Sequence, residues 1–219
     1  MVIIMLGAPG AGKGTVGKVL AQKIGANYIA TGDVFRNIMK QETELGKEIK
    51  KCIEEGKLVP DELAIRIFEE EILPNDINQD MILDGYPRTQ EQAKHLDDLL
   101  SKYELKVNSA INIDVSNELI IDRIVNRRIC PNCNSIYNLK YGKKPKQEGI
   151  CDECGEKLIQ RTDDNETTIR DRLNIYEINT KPLINYYKEK GNLKDIVSDE
   201  NTSIDKLVQE ALTYMKKGE

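Results

Sequence analysis

The segment VIIMLGAPGAGKGT (residues 2–15) limits this chain to few folds. Five apolar residues in a row suit a strand buried on both faces, as in a parallel sheet. The glycines at 7, 10, 12 and 14 then let the backbone turn its N–H groups inward with no Cβ in the way. Those donors, with the N-terminus of a following helix, form a concave positive site for phosphate, and Lys13 adds a full charge at its edge. The spacing G-x4-G-K is that of a P-loop in its strand–loop–helix setting. Most P-loops place a serine or threonine directly after the lysine, where its hydroxyl holds magnesium. Here Gly14 stands in that place and Thr15 follows. Magnesium anchoring is therefore expected partly from Asp33 and Asp84, through bound waters, because this ion keeps much of its hydration shell.

Further strands are predicted at 27–30, 80–84, 110–115 and 193–197. Helical patterns lie at 13–24, 32–40, 44–55, 61–73, 89–101, 116–128, 165–189 and 203–217, with Pro182 expected to kink the long one. Short apolar strands alternating with helices predict an α/β three-layer fold around a five-stranded parallel sheet. A chain of 219 residues supports one substantial core with small appended parts. The stretch 129–160 breaks the alternation and reads as a small insert rich in Cys, Lys, Gly and Pro. No apolar run has the length of a membrane span. The start MVIIMLGAPG lacks a basic leader and a small-residue cleavage site, so a cytoplasmic protein is expected. A net charge of −5 argues against broad nucleic-acid binding.

Four of the five cysteines stand in two matched pairs: Cys130 and Cys133, then seventeen residues, then Cys151 and Cys154. This spacing fits a four-thiolate zinc site, with iron as another occupant of the same soft ligands. Two disulfides or a redox role are further readings, though neither CxxC sits at a strand-to-helix junction. A full tetrahedron leaves no open position for water, so such a metal is expected to be structural. Cys52 reads as a small apolar residue of its helix.

Lysines outnumber arginines, yet the nine arginines cluster at 123, 127 and 128 and again at 161, 170 and 172. A guanidinium is a planar fork of donors suited to phosphate, so this clustering points to anionic ligands. Arg123 and Arg127, four apart, are expected to share a helix face. Arg170 and Arg172 cannot, and Arg172 is the one assigned to the site. The single histidine, His95, falls in an ordinary polar helix pattern and is expected to be solvated.

Taken in order, GAPGAGKGT, TGDVFR (31–36), GKLVPDE (56–62), DGYPRT (84–89), Gln92 and DRIVNRR (122–128) strongly resemble the adenylate kinases of the nucleoside monophosphate kinase group. The match runs collinearly from Met1 to about Pro182. It implies reversible transfer, ATP plus AMP giving two ADP, with magnesium. It also implies a core with the P-loop (1–29, 60–125 and 165–219), an AMP-binding segment (30–59) and a lid (126–164) held by zinc. By matched position, Gly10, Ala11, Gly12, Lys13, Gly14, Thr15, Arg123, Arg127, Ile136 and Tyr137 would serve ATP, with an adenine-contacting loop near Asn201. Thr31, Gly32, Arg36, Lys57, Leu58, Val59, Gly85, Tyr86, Pro87, Arg88 and Gln92 would surround AMP. Arg161 and Arg172 would bridge the phosphates, and Lys13, Asp84, Arg88 and Arg123 would join them in catalysis.

The residues alone agree with this, because phosphoryl transfer needs positioning and charge neutralisation more than covalent chemistry. An acceptor phosphate is its own nucleophile, so no base is required. Two other readings stay open here. One is a kinase for UMP or CMP. The other is a zinc-ribbon nucleic-acid binder, for which the basic run KYGKKPK (140–146) speaks. A monomer is expected, with no nucleic-acid or membrane partner.

Overall fold

A computed structural model describes residues 1–215, apart from the side chain of Asn75. The predicted helix 203–217 and the core range 165–219 run past Met215, and their last residues lie outside the described ones. In chain order the first half comprises β1 (Val2–Leu6), α1 (Lys13–Ile24), β2 (Asn27–Ala30), α2 (Thr31–Met39), α3 (Glu44–Glu54), α4 (Asp61–Ile67), a π-turn (Phe68–Ile72), α5 (Leu73–Asp76) and β3 (Met81–Asp84). The second half comprises α6 (Gln90–Ser101), β4 (Val107–Asp114), α7 (Asn117–Val125), β5 (Arg127–Ile129), β6 (Ile136–Asn138), α8 (Glu166–Ile175), a second π-turn (Tyr176–Thr180), α9 (Pro182–Glu189), β7 (Leu193–Val197) and α10 (Ile204–Met215).

The five predicted strands form one parallel sheet in the order β2-β3-β1-β4-β7. β1 is central and wholly buried, and its side chains divide with period two. Ile3 and Met5 join a core with Val16 and Leu20 of α1, Ile120 of α7, Ile169 of α8 and Leu207 of α10. Val2, Ile4 and Leu6 join the opposite core with Phe68, Leu96 of α6 and Leu183 of α9. Helices therefore cover both faces, giving the expected three layers. β4 starts at Val107, earlier than predicted. Its polar Asn108 hides the strand pattern but is used, since its Oδ1 accepts the Val2 N–H at 2.7 Å.

Two smaller clusters stand apart. Phe35, Ile38 and Ile49 of α2 and α3 pack on Val59 and on Leu63, Ala64 and Ile67 of α4. Cys130, Tyr137, Cys151 and Leu158 form the only buried apolar group within the insert among the described residues. Four side chains are far too few to hold thirty residues by apolar burial alone.

Three helix predictions need correction. The pattern 116–128 ends at Val125; Asn126 turns its amide back to the Asp122 carbonyl (2.8 Å), and Arg127–Ile129 pairs antiparallel with Ile136–Asn138. Arg123 and Arg127 thus do not share a helix face. The helices predicted at 61–73 and 165–189 each contain a π-turn, and both occur just before a proline. Leu73 N–H bonds to the Phe68 carbonyl ahead of Pro74, and Lys181 N–H bonds to that of Tyr176 (2.8 Å) ahead of Pro182. A proline has no N–H and its ring crowds the carbonyl four residues back. Widening one turn lets the chain continue past it. His95 is half-buried rather than solvated, with Nε2 3.3 Å from Glu69. No helix among the described residues is long and apolar enough to cross a membrane.

Candidate active site

The carboxyl ends of β1 and β3 face a cleft of about 600 Å³, the place where open α/β sheets bind ligands. The P-loop forms one wall. Gly12 adopts the left-handed conformation (φ 100°) that caps α1, and the Thr15 and Val16 N–H groups bond to its carbonyl. Lys13 Nζ donates to the carbonyls of Gly7 (2.8 Å) and Ala8 (3.0 Å), so its ammonium lies across the loop. Burial pushes Lys13 down to about 8, opposed by Asp84 and reinforced by Arg88, Arg172 and Arg127.

The structure also accounts for Gly14. Tyr28, from β2, donates its hydroxyl to Asp84 Oδ2 at 2.6 Å. A Cβ on Gly14 would lie 3.3 Å from that hydroxyl and 3.5 Å from the carboxylate. A side chain at this position would crowd the Tyr28–Asp84 pair. Burial and the Asp84 charge keep this hydroxyl protonated far above its ordinary range. Nothing in the sequence singled out Tyr28, whose role depends on β2 and β3 being neighbours. Asp33 and Asp84 both line the cleft, and their oxygens are the hard donors that suit magnesium.

Arg88 leaves the turn after β3, next to the cis Tyr86–Pro87 bond. Its Nε donates to Gly85 O (2.9 Å), its N–H to Gln92 Oε1 (2.8 Å), and its carbonyl accepts from Thr180 Oγ1 (2.8 Å). Arg36, Arg123, Arg127, Arg161 and Arg172 reach the same cleft from five other segments. Arg36 meets Asp33 (2.6 Å) and Arg172 meets Asp163 (2.9 Å). Arg123 donates to Asp199 O (2.8 Å), and Arg127 makes a two-point pair with Asp164, one contact at 2.9 Å. Arg170 instead points to exposed Glu166 (2.7 Å). Burial pushes Arg88 down to about 10, helped by Arg172; burial does the same to Arg161, helped by Arg36 and Arg127. Arg161 Nε is buried with no partner. The cleft is thus a concentration of cations that repel one another, a place built for polyanions.

A smaller pocket of about 50 Å³ adjoins it, lined by Gly32, Lys57, Leu58, Val59, Gly85, Tyr86, Gln92 and the shared Arg36, Arg88 and Arg172. Gly10 to Thr15, Pro87, Ile136, Tyr137 and Asn201 line the larger cleft. Among the residues assigned to a ligand from sequence, Thr31 alone lines neither. It is fully buried and donates to Asp84 O (3.3 Å), because the start of α2 packs against the end of β3. Three other assigned side chains are partly diverted. Tyr86 stacks on Phe68 at 4.2 Å, Lys57 pairs with Glu55 (2.7 Å), and the Tyr137 hydroxyl accepts the Asp152 N–H (2.8 Å) and lies 3.4 Å from Cys151 Sγ.

The sulfur atoms of Cys130, Cys133, Cys151 and Cys154 lie within 4.8 Å of one another. The pairs Cys130–Cys154 (3.4 Å) and Cys133–Cys151 (3.5 Å) join the two knuckles. Those spacings exceed a disulfide bond by far. They are near the edge of roughly 3.8 Å expected for a tetrahedron of sulfurs around zinc. In the basic run 140–146, Lys140 pairs with Asp122 and Lys143 with Glu153, so much of its charge is neutralised locally.

The family described as adenylate kinase matches residues 5–192. An adenylate kinase of Thermotoga neapolitana is 44% identical over 96% of this chain and 94% of its own length. One of Caldicellulosiruptor saccharolyticus is 44% identical over 91% of the chain and 93% of its length. One of Archaeoglobus fulgidus is 45% identical over 90% of each.

Arg127 and Asp164 lie at the two ends of the cysteine insert, and the Asp164 side chain has no solvent exposure. Asp164→Ala leaves a largely buried guanidinium without its partner and should lower unfolding stability by about 3 kcal/mol, read from urea midpoints. A loss below about 0.5 kcal/mol, the level of an exposed pair, would contradict the clamp.

Proposed function

Since the chain belongs to the adenylate kinase family, phosphotransferases for the reaction ATP + AMP = 2 ADP, we propose that it runs this reaction by positioning and charge neutralisation without a general base. The observation that carries this reading is the convergence of Lys13 with Arg36, Arg88, Arg127, Arg161 and Arg172 on one cleft. No histidine or unpaired carboxylate is needed there. ATP lies along the P-loop, its phosphates on the N–H groups of residues 10–15 and on Lys13, with Arg123, Ile136 and the loop at Asn201 around the adenosine. AMP enters the smaller pocket with its phosphate toward Arg36 and Arg88. Arg161 and Arg172 span the two phosphate groups.

An oxygen of the AMP phosphate attacks the γ-phosphorus in line. The new P–O bond forms as the bond to the β-phosphate oxygen breaks, and the departing group is ADP. The nucleophile arrives largely ionised, so no proton must be removed. Asp33 and Asp84 would hold magnesium through water, and that ion would supply charge neutralisation on the ATP phosphates.

The carboxylates of Asp33, Asp163 and Asp164 occupy Arg36, Arg172 and Arg127 in this structure. Phosphate oxygens compete for the same forks, so substrate binding exchanges one set of partners for another. Segment 126–164 then acts as a lid that excludes water, and 30–59 closes over AMP. One zinc on the four cysteines holds the lid together in place of an apolar core. We read the protein as a cytoplasmic monomer, since the sequence has no exposed heptad pattern and thiolate ligands call for a reducing compartment.

A coupled assay for ADP, run with ATP and each of AMP, CMP, UMP and GMP, tests the assignment. AMP should be the preferred acceptor, and Lys13→Ala should lower kcat at least 100-fold, as for loss of a transition-state charge contact. Preference for a pyrimidine, or a fully active variant, would reject the reading. Stripping the metal with a chelator should release one zinc per chain and lower the melting temperature by several degrees. An unchanged melting temperature would reject the structural role.

A further inference from the structure

Gln92 is 2% exposed, yet it lines the smaller pocket. Both of its ends are held by groups of a single character. Nε2 donates to Asp61 Oδ1 at 2.6 Å, and Oε1 accepts the Arg88 N–H at 2.8 Å. An ionised carboxylate only accepts and a backbone N–H only donates. Turning the amide over would set oxygen against oxygen and N–H against N–H. The orientation is therefore determined by chemistry. Asp61 is itself held, since its Oδ2 accepts from the Thr89 hydroxyl at 2.9 Å, and Thr89 caps the helix that carries Gln92.

Each end of the amide has one hydrogen-bonding position left: one donor at Nε2 and one acceptor at Oε1. Their order is fixed, and purines differ in that order. A 6-aminopurine presents a donor at N6 beside an acceptor at N1. A 6-oxopurine presents an acceptor at O6 beside a donor at N1, the reverse.

We propose that Asp61 is a specificity-determining positioning residue, which locks the Gln92 amide so that the acceptor site takes 6-aminopurine monophosphates and rejects 6-oxopurine monophosphates. This rests on the reading that the smaller pocket receives the base of the acceptor nucleotide. Rejection comes from an unpaired, opposed amide, since a buried polar group facing the wrong partner costs more than a missing contact. No contact between Asp61 and the base is required.

The test uses the full-length protein, ATP as donor, and three acceptors: AMP, IMP and purine riboside 5′-monophosphate, which carries only hydrogen at C6. In the wild type kcat/KM should fall from AMP to purine riboside monophosphate and again to IMP, because the last opposes the amide while the second merely fails to meet it. Asp61→Asn keeps the shape but offers either an oxygen or an NH2, so one of the two constraints on the amide is removed and only the Arg88 N–H still opposes the turned form. It should narrow the preference for AMP over IMP about tenfold, with the KM for ATP unchanged. A purely structural role for Asp61 would lower all rates together and leave that ratio alone. A ratio within twofold of wild type, or a wild type that uses IMP as well as purine riboside monophosphate, would overturn the proposal. The wild-type series stands even where the variant fails to fold. A wild type that phosphorylates none of the three would overturn the functional reading and this assignment with it.

Discussion

Lys13, Arg36, Arg88, Arg127, Arg161 and Arg172 share one cleft, and burial together with their mutual repulsion lowers the proton affinity of several of them. Such a group of charges stays together only because the fold supplies partners for it. Carbonyls of the P-loop take Lys13, the Gly85 carbonyl takes Arg88, and Asp33, Asp164 and Asp163 take Arg36, Arg127 and Arg172. The partners come from loops and element ends, while the cations rest on three helices, a strand, the turn after β3 and the loop before α8. On the proposed function, two polyanions entering the cleft would relieve the repulsion, so the charges that strain the free protein would also draw its substrates together. The departure at Gly14 belongs to this arrangement, because Tyr28 and Asp84 stand in close contact with the side of the loop where another P-loop would carry a hydroxyl.

Precision at Arg88 depends on two irregular turns. Pro74 and Pro182 each follow a π-turn, and both turns press on the segment 85–88. Phe68, first residue of one, stacks on Tyr86 at an interplanar angle of 10°. Thr180, last residue of the other, donates to the Arg88 carbonyl. Together with the Gln92 amide on the Arg88 N–H, the main chain of this arginine is bound on both sides. Two sequence features that look like helix breakers thus act as braces for a charge in the cleft.

The sheet was legible because buried parallel strands are continuous apolar runs, and VIIML, NYIA and MILD admit few other uses. The P-loop and the paired cysteines were legible from spacing, since each motif is a local solution to a local demand. What escaped depends on tertiary partners. The run DRIVNRR has helical periodicity through Arg128, but strand pairing with Ile136–Asn138 wins after Val125. The π-turns replace what periodicity reads as uninterrupted helix. The sequence assigns no role to Asp61, Asp163 or Asp164, and only the fold shows which guanidinium or amide each one holds. Tyr28 carried no motif at all.

On the proposed function, one cleft holds both phosphate chains at once. Calorimetric titration with two adenosines joined 5′ to 5′ through a polyphosphate bridge tests it most directly. One molecule per chain, displaced competitively by ATP and by AMP and binding far more tightly than either, is the predicted result. Two molecules per chain, or competition with ATP alone, would contradict the account.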